Sequence, residues 1–268
     1  MQENYESFIT NYPLFAFLTQ EQARQLISFA IPVSVAAGEI IVQEDSFIDS
    51  FYIIVSGSAV VTRKMVSLEK QQILRIEELG RGSIVGLSIE GFYSHNGLRM
   101  ATVKAQEPMH LLKITLDDFL EFLRQPGMKY PGLKKQCEEF LLMHFLNTHH
   151  FFPQTTSGTV YSIVKRTRNE KIPAGTQIYK QGEEPTACYY VLQGEVVLSK
   201  AENNDKTTLK ADQLFGEIEV LNGQLRKESA LTISDSEFLI LEREIIKKFV
   251  NVNSSSLFTR LISKIWGE

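Results

Sequence analysis

The stretch Leu214-Phe-Gly-Glu-Ile-Glu-Val-Leu-Asn-Gly-Gln-Leu-Arg-Lys-Glu-Ser229 combines three groups that suit a sugar phosphate. Gly216 follows a strand-like run and has no Cβ, so its backbone can approach a ligand closely. The apolar residues after it have the spacing of one short helical turn, and free N–H groups at a helix N-terminus favour a phosphate. Glu217 can accept a sugar hydroxyl, and Arg226, nine positions later, can hold a phosphate with two hydrogen bonds. The stretch therefore predicts a sugar-phosphate site.

This stretch resembles the phosphate-binding cassette of cyclic nucleotide-binding domains, F-G-E-[LI]-A-L-x-x-x-x-P-R-A-A-[TS], with the Glu-to-Arg spacing unchanged. The resemblance implies that the Arg holds the cyclic phosphate, that the Glu binds the ribose 2′-hydroxyl, and that backbone N–H groups complete the site. Channel members that favour cGMP often have Thr where this chain has Lys227, so cAMP is the favoured ligand and cGMP the alternative. The predicted binding residues are Phe215, Gly216, Glu217, Ile218, Arg226, Lys227 and Ser229.

The composition is that of an ordinary globular protein. The chain has 268 residues, with 43% hydrophobic residues, 22% charged residues and a net charge of −4, which argues against a broad nucleic-acid surface. No apolar run is long enough to span a membrane, and the N-terminus does not have the pattern of a signal peptide. Cys137 and Cys188 lie far apart, without the spacing of a metal site, which favours a reducing, cytoplasmic location.

An internal repeat organises the chain. The alternating, strand-like phrases around Gly38 and Gly57 recur around Gly175 and Gly194, both 137 residues later. Two copies at this period predict two domains, residues 1–150 and 151–268, rather than a solenoid. Strands closed by glycine turns favour a mainly β fold with flanking helices: two tandem jelly-roll-like antiparallel β-rolls. A helix with Thr19 as its cap is expected before the first roll.

The first copy departs from the cassette, which predicts that its site is degenerate. Gly86 and Arg99 fit the family pattern, but Leu87 stands where the ribose-binding Glu is expected. A leucine cannot accept the hydroxyl hydrogen bond, and a buried unpaired hydroxyl costs about 1–3 kcal/mol. The loop is also three residues longer, because Leu87 lies twelve positions before Arg99. Glu90 is a weaker candidate to replace the lost carboxylate.

The C-terminal residues predict an apolar helix with two interpretations. Phe258, Ile262 and Trp266 lie on one stripe at helical spacing. The resemblance implies that such a helix can act as a lid over the purine, and ligand binding would then draw it over the roll. The alternative, which the pattern favours, is that the stripe packs in the core or forms a dimer seam.

Extra acids in the second cassette support a competing hypothesis. Glu219 and Glu228 replace small residues of the family pattern and disfavour an anion unless they point outward. If the loop binds no ligand, Arg226 would instead pair with Glu217 or Glu228. The sequence therefore predicts a non-enzymatic cyclic nucleotide sensor with a protein partner or self-association and no attached output module. The alternative is a ligand-free scaffold of two degenerate domains. No set of catalytic residues is apparent, and no cofactor or metal is expected. His144 and Cys137 are expected to pack in the core rather than to bind a metal.

Overall fold

The computed structural model describes residues 5–66, 71–88, 90–94, 96–148, 157–201 and 205–250. The chain divides into two compact units, residues 1–144 and 145–268. The boundary expected after residue 150 falls outside the described residues. Within the described part of the chain, no helix is long and apolar enough to cross a membrane.

The first unit begins with helices and continues as a set of short strands. Its helices are α1 (Glu6–Thr10), a 3-10 helix (Pro13–Phe15), α2 (Gln20–Ser28), α3 (Leu116–Leu123) and α4 (Pro131–Thr148), of which α4 continues into the second unit. Its strands are β1 (Ile31–Val35), β2 (Ile40–Val42), β3 (Ser50–Ser56), β4 (Ala59–Val66), β5 (Gln71–Leu79), β6 (Ile84–Val85), β7 (Leu87–Ser88), β8 (Gly91–Phe92), β9 (Thr102–Ala105) and β10 (Met109–Thr115).

The second unit repeats this order with fewer strands. Its helices are α5 (Ser157–Val164), α6 (Glu217–Asn222) and α7 (Arg243–Val250). Its strands are β11 (Arg168–Ile172), β12 (Gln177–Tyr179), β13 (Ala187–Gln193), β14 (Val196–Ser199), β15 (Lys206–Leu209), β16 (Leu214–Phe215), β17 (Ser229–Thr232) and β18 (Ser236–Glu242).

Each unit contains two four-stranded antiparallel sheets with the same topology. The orders are β1-β10-β3-β6 and β2-β9-β4-β5 in the first unit, and β11-β18-β13-β16 and β12-β17-β14-β15 in the second. Position by position, the second pair of sheets is the repeat of the first. The mainly β fold with two tandem antiparallel β-rolls, expected from the sequence repeat, is confirmed.

The core of each roll is built from alternating strand residues. In β13, Val191 is buried in an apolar cluster with Val196, Phe215 and Phe238, as strand geometry dictates for side chains that share one face. The ring of Phe215 stacks on that of Tyr189 at a centroid distance of 5.2 Å. This packing fixes the residue immediately before Gly216 and therefore the start of the cassette.

Left-handed turns close the strands at equivalent places. A Cβ on Gly57 would lie 2.7 Å from the Pro108 carbonyl oxygen, and one on Gly194 would lie 2.7 Å from the Asp235 carbonyl oxygen. Both positions therefore exclude every residue except glycine. Asp45, which stands where the second copy has Gly182, adopts φ 67°, so an Asp fills the left-handed position that the repeat assigns to glycine.

The helical expectations are largely met. Thr19 caps α2 through a reciprocal capping box with Gln22, because each side chain satisfies a backbone N–H of the other. The helix α4 begins at Pro131, where a missing N–H costs nothing. One expectation on this helix is wrong. His144, expected in the core, is exposed, while Cys137 is buried as expected.

Candidate functional site

The cassette of the second unit turns from strand into helix at Gly216. This residue has φ 73° and is the N-cap of α6, where it has no side chain that could cap the helix. A Cβ on Gly216 would collide with the guanidinium of Arg226, so glycine is required by both conformation and space. The short helix predicted after Gly216 is confirmed, and it starts beside the arginine that the sequence placed there.

Arg226 is buried, with 3% of its surface exposed, and the protein itself binds most of its guanidinium. Nη1 donates to the Gly216 carbonyl oxygen at 2.7 Å, and Nη2 donates to the Ala187 carbonyl oxygen. The guanidinium carbon lies 4.0 Å from the ring centre of Tyr179, a cation–π distance. Nε has no hydrogen-bond partner among the described residues. Arg226 is thus held at the start of α6 through Nη1 and Nη2, with Nε left unpaired.

The acid that faces Arg226 is Glu219. Its Oε2 lies 3.8 Å from Nη1 of Arg226, and both residues are buried. The competing hypothesis named Glu217 or Glu228 as the partner. Glu228 instead pairs with Lys200 at 3.6 Å. The second cassette therefore supplies its arginine with an internal anion. The sequence showed Glu219 as an extra acid but did not identify it as the partner of Arg226.

Glu217 is also buried, with 8% of its surface exposed. Burial raises its pKa to about 7, because desolvation disfavours the charged form; the nearby Glu219 raises it further, while a backbone N–H and Arg226 act in the opposite direction. The carboxyl that the resemblance assigns to the ribose therefore has a pKa near the physiological range, well above that of an ordinary glutamate.

The remaining predicted residues have different surroundings. Phe215 packs in the roll core, Ile218 is half-buried and Lys227 is exposed. The Ser229 hydroxyl accepts a hydrogen bond from the Gln181 backbone N–H at 2.9 Å, which fastens the loop to the turn before it.

Sequence reasoning missed two contacts of Arg226, with the Tyr179 ring and the Ala187 carbonyl. The repeat could have indicated Ala187, because it lies 137 residues after Ser50, which binds the other arginine.

The corresponding loop of the first unit has a different shape. After Gly86 the chain forms the β7–β8 hairpin instead of a helix, and Leu87 is buried with 1% exposed. Arg99 is buried with 4% exposed, and its Nη2 donates to the Ser50 carbonyl oxygen at 2.6 Å and to Asp49 Oδ1 at 3.1 Å. Glu90, the candidate replacement carboxylate, is exposed. Degeneracy of this site stays a prediction.

Two further expectations concern the lid and metal sites. The proposed lid residues Phe258, Ile262 and Trp266 lie outside the described residues. Among the residues that the structure describes, no group of three or more potential ligands could hold a metal ion. Cys137 and Cys188 are unpaired and buried, and desolvation raises the pKa of both thiols.

Known proteins similar to this chain match most of its length. The cAMP-dependent protein kinase regulatory subunit of Yarrowia lipolytica is 26% identical over 237 residues, covering 87% of this chain and 56% of that protein. The cGMP-dependent protein kinase egl-4 of Caenorhabditis briggsae is 22% identical over 239 residues, covering 87% of this chain and 29% of that protein. The chain thus spans about half or less of the length of these relatives.

Among solved structures, the regulatory domain of Toxoplasma gondii PKA with cAMP is 19% identical, with coverage of 98% of this chain and 95% of that chain and a TM-score of 0.40. The model of the family described as "Cyclic nucleotide-binding domain" matches residues 32–126 and 169–253. These two segments include most of both rolls and both cassettes. The chain belongs to the cyclic nucleotide-binding domain family and contains two copies of the domain.

Proposed function

We propose that this chain is a non-enzymatic regulatory sensor whose second unit binds a cyclic nucleotide, with cAMP preferred over cGMP. The observation that carries the proposal is the placement of Arg226, whose guanidinium is fixed against the Gly216 carbonyl at the start of α6. A phosphate bound at this turn would meet the guanidinium and the N–H groups at the start of the helix together. The preference for cAMP rests on Lys227, which stands where cGMP-selective channel members often have Thr.

Binding has to displace an internal competitor. Glu219 already lies 3.8 Å from Arg226, so an incoming phosphate would replace one anion by another. Breaking this pair alone would leave two buried charges unpaired, which is costly. A phosphate keeps Arg226 paired but leaves the buried Glu219 without its cation, so this acid weakens binding. Glu217 would take the ribose hydroxyl, and it does so best when ionised, because only then is it purely an acceptor.

A contact between α6 and α7 supports coupling to the C-terminal segment. Gly223, at the end of α6, lies so close to Arg243 that an added Cβ would be 3.3 Å from its Nη2, and the Arg243 backbone N–H donates to the Thr186 carbonyl oxygen at 2.8 Å. A displacement of α6 would therefore be felt by α7. We propose that this is the route by which the ligand moves the C-terminal helix, with Phe258, Ile262 and Trp266 as the lid.

Calorimetric titration of the whole chain with cAMP and with cGMP tests this function. We expect cAMP to bind more tightly than cGMP, and the Arg226→Gln variant to bind cAMP about 100-fold more weakly, because it loses the charged donor of the phosphate. Lys210→Gln, which removes an exposed charge of the same unit paired with Glu195, is the control and should leave the affinity unchanged. Equal affinities of wild-type and Arg226→Gln protein, with both folded by circular dichroism, would contradict the proposal.

The second candidate is a ligand-free scaffold, and one observation favours it. Backbone carbonyls, an aromatic ring and Glu219 already surround Arg226. If neither nucleotide produces heat at millimolar concentration and a stable protein partner is recovered with the chain, the scaffold becomes the better description.

A further inference from the structure

A cavity of about 300 Å³ opens in the roll of the first unit. Its walls are mostly aliphatic and include Val42, Val61, Leu79, Val85 and Val103. This size lies at the lower end of small-ligand sites, which are commonly about 300–1,000 Å³ and apolar with few polar groups. The cavity therefore has the volume and the lining of a site for a small, largely apolar molecule.

One buried cation lines this cavity. Arg99 and Gly86 both belong to its wall, and Nη1 of Arg99 has no hydrogen-bond partner among the described residues. A Cβ on Gly86 would lie 2.6 Å from this nitrogen, so only a glycine leaves room beside Nη1. Buried donors are nearly always satisfied, so an orphaned guanidinium nitrogen on a cavity wall indicates a missing acceptor.

The charges around Arg99 match an acceptor with one negative charge. Nη2 is already bound by Ser50 and by the half-exposed Asp49, but Asp49 also pairs with Lys113 at 3.6 Å, so these two cations and one carboxylate together keep one positive charge. Two further charged residues of the lining, Arg63 and Glu77, have opposite signs and are exposed, so they flank the wall without adding net charge. A carboxylate that accepts from Nη1 would complete the site.

The surroundings do not suit a ribose. Leu87 is buried where the second unit has Glu217, and its carbonyl oxygen already accepts from the Tyr12 hydroxyl at 2.6 Å. A ribose hydroxyl placed against Leu87 would lose its hydrogen bond to water without replacement. An apolar molecule, in contrast, would be stabilised by burying its surface against the aliphatic walls.

We propose that the first unit binds a small apolar carboxylate in this cavity, with the acid on Nη1 of Arg99 and the apolar body between the aliphatic walls. The ligand differs in class from the cyclic nucleotide proposed for the second unit. The chain would then sense two chemically unrelated small molecules, one in each roll.

The test uses the whole chain, with phenylbutyrate as the probe and its neutral amide as the matched control ligand. We expect phenylbutyrate to bind once per chain and the amide to bind about ten-fold more weakly, since the amide lacks the charge that Arg99 pairs. Arg99→Gln should weaken phenylbutyrate binding by about the same factor. Lys104→Gln removes an exposed charge of β9, outside the cavity lining, and should leave it unchanged.

A second variant keeps the test decisive if Arg99→Gln does not fold. Ala101 lines the cavity, and Ala101→Leu fills part of it while leaving Arg99 in place, so phenylbutyrate binding should be lost with little change in melting temperature. Equal binding of the acid and the amide, no binding of either at millimolar concentration, or unchanged binding by Ala101→Leu would overturn the proposal. Competition of cAMP for the phenylbutyrate site would overturn it too, in favour of a nucleotide site in the first unit.

Discussion

The loops that end at Arg99 and at Arg226 differ in structure and charge, although the strands around them pair in the same way. Both arginines are buried, and each donates to a backbone carbonyl at the same place of the repeat, Ser50 in one unit and Ala187 in the other. The first loop is a hairpin that offers no buried acid, and its arginine binds the half-exposed Asp49. The second loop is a helix that buries two glutamates. The shared scaffold therefore fixes the arginine, and the loop determines which anion it meets.

The same comparison holds for the turns. The left-handed positions are filled by Asp45 and Gly82 in the first unit and by Gly182 and Asp212 in the second, so Asp and Gly have changed places. Where the backbone of a neighbouring strand lies against the turn, at Gly57 and Gly194, both units retain glycine. Conformation alone allows exchange at these turns, while close backbone contact does not.

The largest expected effect tests this common scaffold. Gly194→Ala places a Cβ 2.7 Å from both the Asp235 carbonyl oxygen and the Ser236 Cα, so we expect a loss of about 3 kcal/mol or more in the free energy of unfolding. Gly175→Ala is the matched control, because it has a similar φ of 77° but no atom within 4 Å of the added Cβ. Its cost should be about 1–2 kcal/mol, from the backbone conformation alone. Urea unfolding measures both, and equal losses would refute the role assigned to backbone contact.

The next effect concerns the buried carboxyl of the second loop. The pKa of Glu217 is raised to about 7 in the folded protein, so the folded state binds its proton more tightly than the unfolded state does. Stability should therefore fall as the pH rises from about 4.5 to about 7, and this loss should be complete above that range. Glu217→Gln removes the effect, and we expect it to stabilise the protein by about 1–3 kcal/mol at about pH 8 and negligibly at about pH 4.

Urea unfolding of wild type and Glu217→Gln across this pH range measures the difference. Glu195→Gln, at a half-exposed position of the same unit, controls for the loss of one negative charge. A stability difference between wild type and Glu217→Gln that does not change with pH would show that Glu217 titrates normally.

The smallest expected effect concerns Glu219, the acid beside Arg226, which has no equivalent beside Arg99. Glu219→Gln removes the internal competitor of the phosphate, so we expect cAMP to bind the second unit about ten-fold more tightly, an improvement of about 1.4 kcal/mol. Glu228→Gln is the control, because Glu228 pairs with Lys200 rather than with Arg226. A gain in affinity cannot result from misfolding. Calorimetry that finds unchanged or weaker binding by Glu219→Gln would mean that Glu219 does not compete with the ligand.

Much of this architecture was predictable because it depends on local patterns. Thr19 lies where a helix N-cap is expected, and it forms a capping box with Gln22. The strand-like segments that recur after 137 residues predicted two rolls with matching turns. The error at His144 arose where packing overrides the pattern, because this residue has helical spacing with core residues but lies on the exposed side of α4.

The sequence by itself determined that Gly216, Glu217 and Arg226 belong to one loop and that the first loop lacks the equivalent glutamate. Only the tertiary structure decided that Glu219 is the acid beside Arg226, that Glu217 is buried enough to hold its proton near neutrality, and that Arg99 lines an apolar cavity with one donor unpaired. The reason is physical: spacing along the chain fixes which groups share an element. The partner of a charge, and the energy of that charge, depend on distances and burial created by strands far apart in sequence.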